Sequence, residues 1–393
     1  MKWQVFALVL ALFVSSAIAP AFAKEIEVPG DSNGDKIVSA DEVAAAEKLA
    51  NDGKLSTDEL QEIKHIHEKY PINITDSADR TVTIYKPVER IISQGTYAHE
   101  AICLLNAQDR LSAVTNTAQR VYGFIPGIKE KPQVGEYREI DYEKVIENRP
   151  DVYIIGSNTT LPDVEKKLEP LGTAVVVLGF SKMNMFEKEF RALARLLEED
   201  EKVEEYLGWR EGYLKMIQEK TEDISQKPRV YVEYSDLPWK TPINSEVTTM
   251  AGGFNIASPL GKTTTTSSVE VSPEWVMTQN PEVIVIPAFL DYAPTDLTGY
   301  HLNSTDNAEK FIADMSNRTG WADIDAVKDS RVYVLDGETG AASCRGVVGV
   351  CYCAKWFYPE IFKDLNPDEI NREYFEKWLG ASYEGIWAYP PAS

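Results

Sequence analysis

The densest chemistry in the chain lies near its amino end. The segment DSNGDKIVSADE, residues 31–42, sets side-chain oxygens at loop positions 1, 3, 5, 9 and 12, from Asp31, Asn33, Asp35, Ser39 and Glu42, and position 7 adds the backbone carbonyl of Ile37. A hard cation gathers about seven oxygens at such a spacing, so the segment reads as an EF-hand calcium loop. Lys36 stands where these loops carry the glycine of a sharp turn, and a weaker hold on Ca2+ is expected from it. A second, partial loop keeps Asp52, Gly53, Ser56 and Glu59 at positions 5, 6, 9 and 12, but Lys48 and Ala50 replace two ligands; it is expected to be structural and ion-free. His65 and His67 are two residues apart and so share no helix face; they read as surface side chains.

The elements that hold this loop follow from the flanking sequence. EVAAAEKLA and DELQEIKHIHEKY are helical stretches that complete a small all-α EF-hand-like or dockerin-like module over residues 24–70. The competing reading is an acidic helical pair without an ion. Upstream, MKWQVFALVLALFVSSAIAPAFA has one lysine, an apolar run and small residues ending in Ala-Phe-Ala, the pattern of a secretory signal cut after Ala23. The run is also just long enough to be an uncleaved anchor. No cysteine lies beside it to take a lipid. Export would place the protein outside the cytoplasm, in the periplasm or at the cell surface, and the sequons at Asn73, Asn158, Asn303 and Asn317 are compatible with that.

Composition narrows the functional classes. A net charge of −22 leaves no basic surface to neutralise phosphates, so nucleic acid is excluded as a partner. Cys103, Cys344, Cys351 and Cys353 are too few for a disulfide framework and read first as buried small side chains, then as a disulfide, last as a metal site. Catalysis lacks support: no nucleotide-binding glycine motif and no nucleophile elbow occurs, and the chain has four histidines in all.

From residue 71 the chain alternates strand and helix. TVTIY, RIIS, LSAVT, VYII and AVVVLG read as strands of a first lobe, residues 71–183, separated by helical YAHEAICLLNA, YEKVIENR and LPDVEKKLEPL. Such alternation indicates parallel βαβ units. Residues 184–226 carry apolar positions at helical spacing, from Phe186 to Ile217, with a phase slip near Glu198–Lys202; a long connecting helix with a break there is expected. A second lobe, residues 227–393, repeats the pattern with RVYVEY, VIVIP and RVYVLDG. Within it PEWVMTQNPEVIVI restates the skeleton of YEKVIENRPDVYII: Glu274 matches Glu143, Val276 matches Val145, and Pro281-Glu282 matches Pro150-Asp151. The expected fold is α/β, two Rossmann-like lobes joined by a long helix and preceded by the module.

ITDSADRTVTIYKPVERIIS, LLNAQDRLSAVT, the two Glu-x-Val…Pro-Asp/Glu-Val units, AGGFNIA and AKWFYPEIF, in this order, resemble the extracytoplasmic binding proteins of ABC importers for ferric siderophores and cobalamin. The resemblance covers about residues 71–390. It implies a cleft between the lobes, a small metal chelate as ligand, an ABC permease in the cytoplasmic membrane as partner, action as a monomer, and no enzymatic step. It also implies a docking role for Glu143 and Glu274, one per lobe, against permease arginines. The residues themselves offer a blander account, since an acid in the first turn of a capped helix is stabilised by the helix dipole alone, by roughly 0.3–1 kcal/mol.

Ligands of parallel α/β sheets sit outside the carboxyl ends of the strands. That rule selects the segments 94–97, 116–122, 156–160, 234–240, 288–292 and 337–345, and in them Tyr97, Tyr122, Tyr234, Trp239 and Tyr292 as aromatic lining, with Lys240 and Arg345 as charge for an anionic chelate. The two cations favour a ferric chelate over a corrinoid. A calcium-dependent surface scaffold, with the lobes secondary, is the remaining alternative.

Overall fold

The computed structural model describes residues 26–262, 267–290 and 296–391; the expected signal segment and Tyr292 lie outside the described residues. Two helices come first, α1 (Ala40–Asn51) and α2 (Thr57–Lys69), packed against each other. Ser39 and Ser56 start them alike: each hydroxyl accepts from the third helical N–H while Glu42 or Glu59 reaches back to the cap's own N–H. Val38, Ala46, Ile63, Ile66 and Tyr70 bury their side chains in the same core cluster as the first lobe, so this helix pair is a fused buttress and not a tethered appendage.

A hairpin of β1 (Ile72–Thr75) and β2 (Thr81–Ile84) leads into the first lobe. In chain order that lobe runs β3 (Ile91–Ser93), α3 (Thr96–Leu104), β4 (Leu111–Ala113), α4 (Asn116–Tyr122), a ribbon of β5 (Gly135–Glu136) and β6 (Glu139–Ile140), α5 (Tyr142–Glu147), β7 (Val152–Ile155), α6 (Leu161–Leu168) and β8 (Ala174–Val177). Its parallel sheet has the order β4-β3-β7-β8. Every residue of β3 and β7 is buried, as a strand covered by helices on both faces must be.

The connector is bipartite. Amphipathic α7 (Phe186–Leu197) ends at Glu198, whose φ of 59° breaks the helix, and α8 (Asp200–Thr221) continues for 22 residues, about 33 Å. The module braces this elbow: Tyr70 donates its hydroxyl to the Glu198 carboxylate, and His65 Nε2 lies 2.9 Å from both of its oxygens. His65 is thus tied to the connector, and His67 instead contacts the carbonyl of Val38 at 2.6 Å.

The second lobe runs β9 (Arg229–Val232), β10 (Lys240–Pro242), α9 (Glu246–Met250), β11 (Phe254–Asn255), β12 (Ser268–Glu270), α10 (Pro273–Gln279), β13 (Val283–Ala288), α11 (Asp306–Ser316), α12 (Asp325–Lys328), β14 (Val332–Asp336), α13 (Gly337–Gly340), α14 (Gly346–Phe357), α15 (Pro367–Glu373) and β15 (Ala388–Tyr389). Its sheet order is β11-β9-β13-β14-β15, parallel except for the last strand. The repeated sequence unit is therefore a repeated structural unit: α5 feeds β7 and α10 feeds β13, each strand lying between the first and last parallel strands of its lobe. All four cysteines are buried and unpaired.

Candidate ligand cavity between the lobes

A cavity of about 520 Å³ opens where β3, β7 and β8 end, with the second lobe closing its far side. Glycine makes the floor. Gly95 follows β3, Gly156 follows β7 and Gly179 comes just after β8. A Cβ on Gly179 would stand 2.9 Å from the Gly156 carbonyl oxygen, so a side chain is barred there by backbone; Gly156 meets only the Gly95 Cα, at 3.8 Å, and its missing side chain simply leaves room.

The walls come from several elements. Thr96 and Tyr97 stand in the first turn of α3, Thr117 and Val121 on α4, Tyr137 and Arg138 at the tip of the β5–β6 ribbon, and Ser157, Thr160 and Ser181 on the loops after β7 and β8. From the second lobe come Phe289 and Leu290, after β13, and Glu338, after β14. Polar hydrogen-bonding groups and three aromatic rings thus converge on one space, the composition of a small-molecule site.

The ribbon that presents Arg138 is pinned at two points. Gln94 Nε2 donates to the Tyr137 carbonyl at 2.8 Å, tying the tip to the floor. The Arg120 guanidinium, together with the Thr117 hydroxyl at 2.8 Å, holds the Glu136 carboxyl down to about 2, so it stays ionised and fixes the ribbon to α4. Arg138 itself is exposed, lies 5.0 Å over the Tyr137 ring and has no ion-pair partner among the described residues. On the opposite wall Glu338 is nearly buried. Burial first, then the neighbouring Glu338, pushes the Tyr97 phenol well above its ordinary range, so it serves as a neutral hydroxyl.

Of the residues expected in the cleft, Tyr97 lines the cavity. Tyr234 does not; its ring stands 6.4 Å from Phe289, which does. Tyr122 is a correction: the segment 116–122 is a helix, capped where the Thr115 hydroxyl accepts from the Ala118 N–H, and its winding turns Tyr122 into the core at 0% exposure. Trp239 packs edge-on against Trp321 with the Arg318 guanidinium 4.3 Å over its ring, inside the second lobe. Lys240 faces Glu270 across the antiparallel β10–β12 pair, away from the cavity. Arg345 is fully buried, its charge spent on Glu100 and Asp336 rather than on a ligand. Sequence reading missed Tyr137 and Arg138, and it selected the segment 337–345 without singling out Glu338 within it; glycine after three neighbouring parallel strands was the available signal for the floor.

Glu143 and Glu274 are both exposed at the second position of α5 and α10, behind the caps Asp141 and Ser272. In the front loop, Asp31 accepts from the Gly34 and Lys36 N–H groups, and Glu42 takes Ser32 on one oxygen and Ser39 on the other, which draws its carboxyl down to about 2. Among the described residues no group of three His, Cys, Asp or Glu side chains is arranged to hold a metal ion. The oxygen donors of Asn33, Asp35, Ser39 and the Ile37 carbonyl nevertheless keep the loop spacing, and Lys36 adopts φ 66°, the left-handed turn that glycine supplies at that position.

Comparison with known proteins gives a consistent picture. The family profile described as "Periplasmic binding protein" matches residues 91–339. An uncharacterised ABC transporter substrate-binding lipoprotein of Bacillus subtilis, YvrC, is 26% identical over 333 residues, covering 81% of this chain and 96% of its own. The molybdate-binding protein MolA of Haemophilus influenzae is 21% identical over 344 residues, covering 79% and 92%. Among solved structures, the TroA-like periplasmic binding protein FepB of Veillonella parvula superposes with a TM-score of 0.68 at 25% identity, over 81% of this chain and 99% of that one.

Proposed function

Because this chain belongs to the periplasmic binding protein family, whose members bind solutes for ABC importers and are not enzymes, we propose that it captures an anionic ferric chelate between its lobes and hands it to a membrane permease. The observation that carries this reading is Arg138, an exposed guanidinium with no ion partner among the described residues, at the edge of a polar, aromatic-walled cavity of about 520 Å³. Glu338 is the one His, Cys, Asp or Glu side chain among the described residues that line the cavity, so a bare metal ion finds no ligand cluster there. An oxyanion of the kind named for the Haemophilus relative would leave most of the space empty. A chelate spanning the cavity can turn its anionic groups to Arg138 and hydrogen-bond donors to Glu338.

Glu143 and Glu274 serve in this reading as one docking handle per lobe, and their matched exposure at two equivalent helix starts supports it. Export by the segment ending at Ala23 and Ca2+ binding by Asp31, Asn33, Asp35, Ile37, Ser39 and Glu42 complete it; the ion would stiffen a buttress already fused to the first lobe. Titration of residues 24–393 with ferric catecholate and hydroxamate chelates, molybdate and cobalamin, followed by tryptophan fluorescence with calcium present, tests the ligand. Saturable micromolar quenching by an iron chelate alone is expected; a response to molybdate or cobalamin alone overturns it. Glu143→Arg with Glu274→Arg should leave that titration unchanged and abolish chelate uptake by cells carrying the permease.

A further inference from the structure

Behind the cavity lies a charge cluster that takes no part in lining it. Arg345, the residue before α14, places Nε 2.7 Å from Glu100 Oε1 and donates from Nη1 to Asp336 Oδ2 at 3.3 Å. Glu100 sits one turn into α3, the helix whose first turn gives the cavity Thr96 and Tyr97. Asp336 ends β14 and caps α13, accepting from the Thr339 N–H and hydroxyl at 2.9 Å each; α13 carries Glu338. Tyr374 donates to Glu100 at 3.0 Å, and the rings of Tyr122, Phe124, Phe375 and Trp387 lie 5.3 to 6.0 Å from the guanidinium.

One guanidinium therefore ties the wall supplied by the first lobe to the wall supplied by the second, in a dry setting where breaking either contact would strand a charge. We propose that Arg345, with Glu100 and Asp336, is a positioning unit that sets the spacing between the two cavity walls and thereby the affinity for ligand. Alpha-helix α8 alone would let the lobes swing about its ends; the buried contacts behind the cavity add a second point of attachment and limit that swing. The affinity half of the inference rests on the proposed function, and the spacing half does not.

The test uses nitroxide pairs on Lys166→Cys and Asp306→Cys, exposed sites on the two lobes, which label selectively because the native thiols are buried. Distance distributions are compared for the otherwise native chain, for Arg345→Met with Glu100→Leu, and for Arg345→Lys. Replacing a buried ion pair by apolar groups of similar volume commonly preserves the fold, Asp336 keeps the Thr339 N–H and hydroxyl as donors in the double variant, and Glu100→Gln covers the case in which that variant does not fold. A single narrow distance is expected natively, at least twofold broader in the double variant or Glu100→Gln and partly restored in Arg345→Lys. Equal widths in folded variants would overturn the inference. Titration of the same proteins with a ferric tris-catecholate should show about tenfold weaker binding in the double variant; should that probe bind none of them, the proposed function fails while the distances still decide the positioning role.

Discussion

The two lobes share one plan and spend their strand ends differently. In the first, β3, β7 and β8 run out into Gly95, Gly156 and Gly179, and the space above them stays open as the cavity floor. In the second, β9 runs out into Glu233, which is 1% exposed, takes the Tyr231 hydroxyl at 2.8 Å and pairs twice with Arg318, at 2.7 and 3.0 Å. Arg318 in turn lies over Trp239 and Trp321. The corresponding space is thus filled by side chains, and the second lobe presents only a lid of Phe289, Leu290 and Glu338. Within one shared plan, the one or two residues past β3, β7 and β8 leave room that the Glu233–Arg318 pair past β9 fills.

The contrast breaks most forcefully at Arg318. Arg318→Ala leaves the Glu233 carboxylate buried without its partner, and urea unfolding should show a loss of about 3–5 kcal/mol, with chelate affinity unchanged. The first lobe buries a neutral base as well: His99 is fully buried, its Nδ1 donates to the Gly95 carbonyl at 3.0 Å, and burial lowers its pKa from 6.5 to about 4. Because the unfolded chain takes up this proton first, stability is fully present above pH 6.5 and falls as the pH drops toward 4, by roughly 3 kcal/mol. His99→Gln should flatten that part of the pH profile of unfolding.

Smaller effects sharpen the floor itself. Gly156→Trp puts a ring into the cavity without a backbone clash, so binding should weaken about 100-fold, near 2.7 kcal/mol, at nearly native melting temperature. Arg138→Ala removes the exposed cation; calorimetry should show about tenfold weaker binding, roughly 1.4 kcal/mol, and a reduced dependence on salt.

Much of this architecture is legible in the sequence because its signals are local. VYII and VIVIP are continuous apolar runs, which is what strands buried on both faces require, and the phase slip of the connector falls at Glu198, where α7 ends. The segment 116–122 also carries a local signal, since Thr115 is a helix cap and Ala118, Val121 and Tyr122 mark one face; selecting it as cleft lining by its place after a strand, without that helix, puts Tyr122 in the wrong place. The fate of Arg345 was not legible, because its partner Glu100 is in the other lobe and a charged residue before an apolar helix looks the same whether it meets solvent or a buried carboxylate. Arg138 faces the cavity through the register of a four-residue ribbon, which no propensity encodes.

The most direct test is a crystal of the protein saturated with its best ferric chelate, with anomalous scattering measured at the iron edge. A single iron peak inside the space bounded by Tyr97, Arg138 and Phe289 is the predicted result; a peak elsewhere on the molecule, with that cavity unchanged, would contradict the assignment of the cavity as the ligand site.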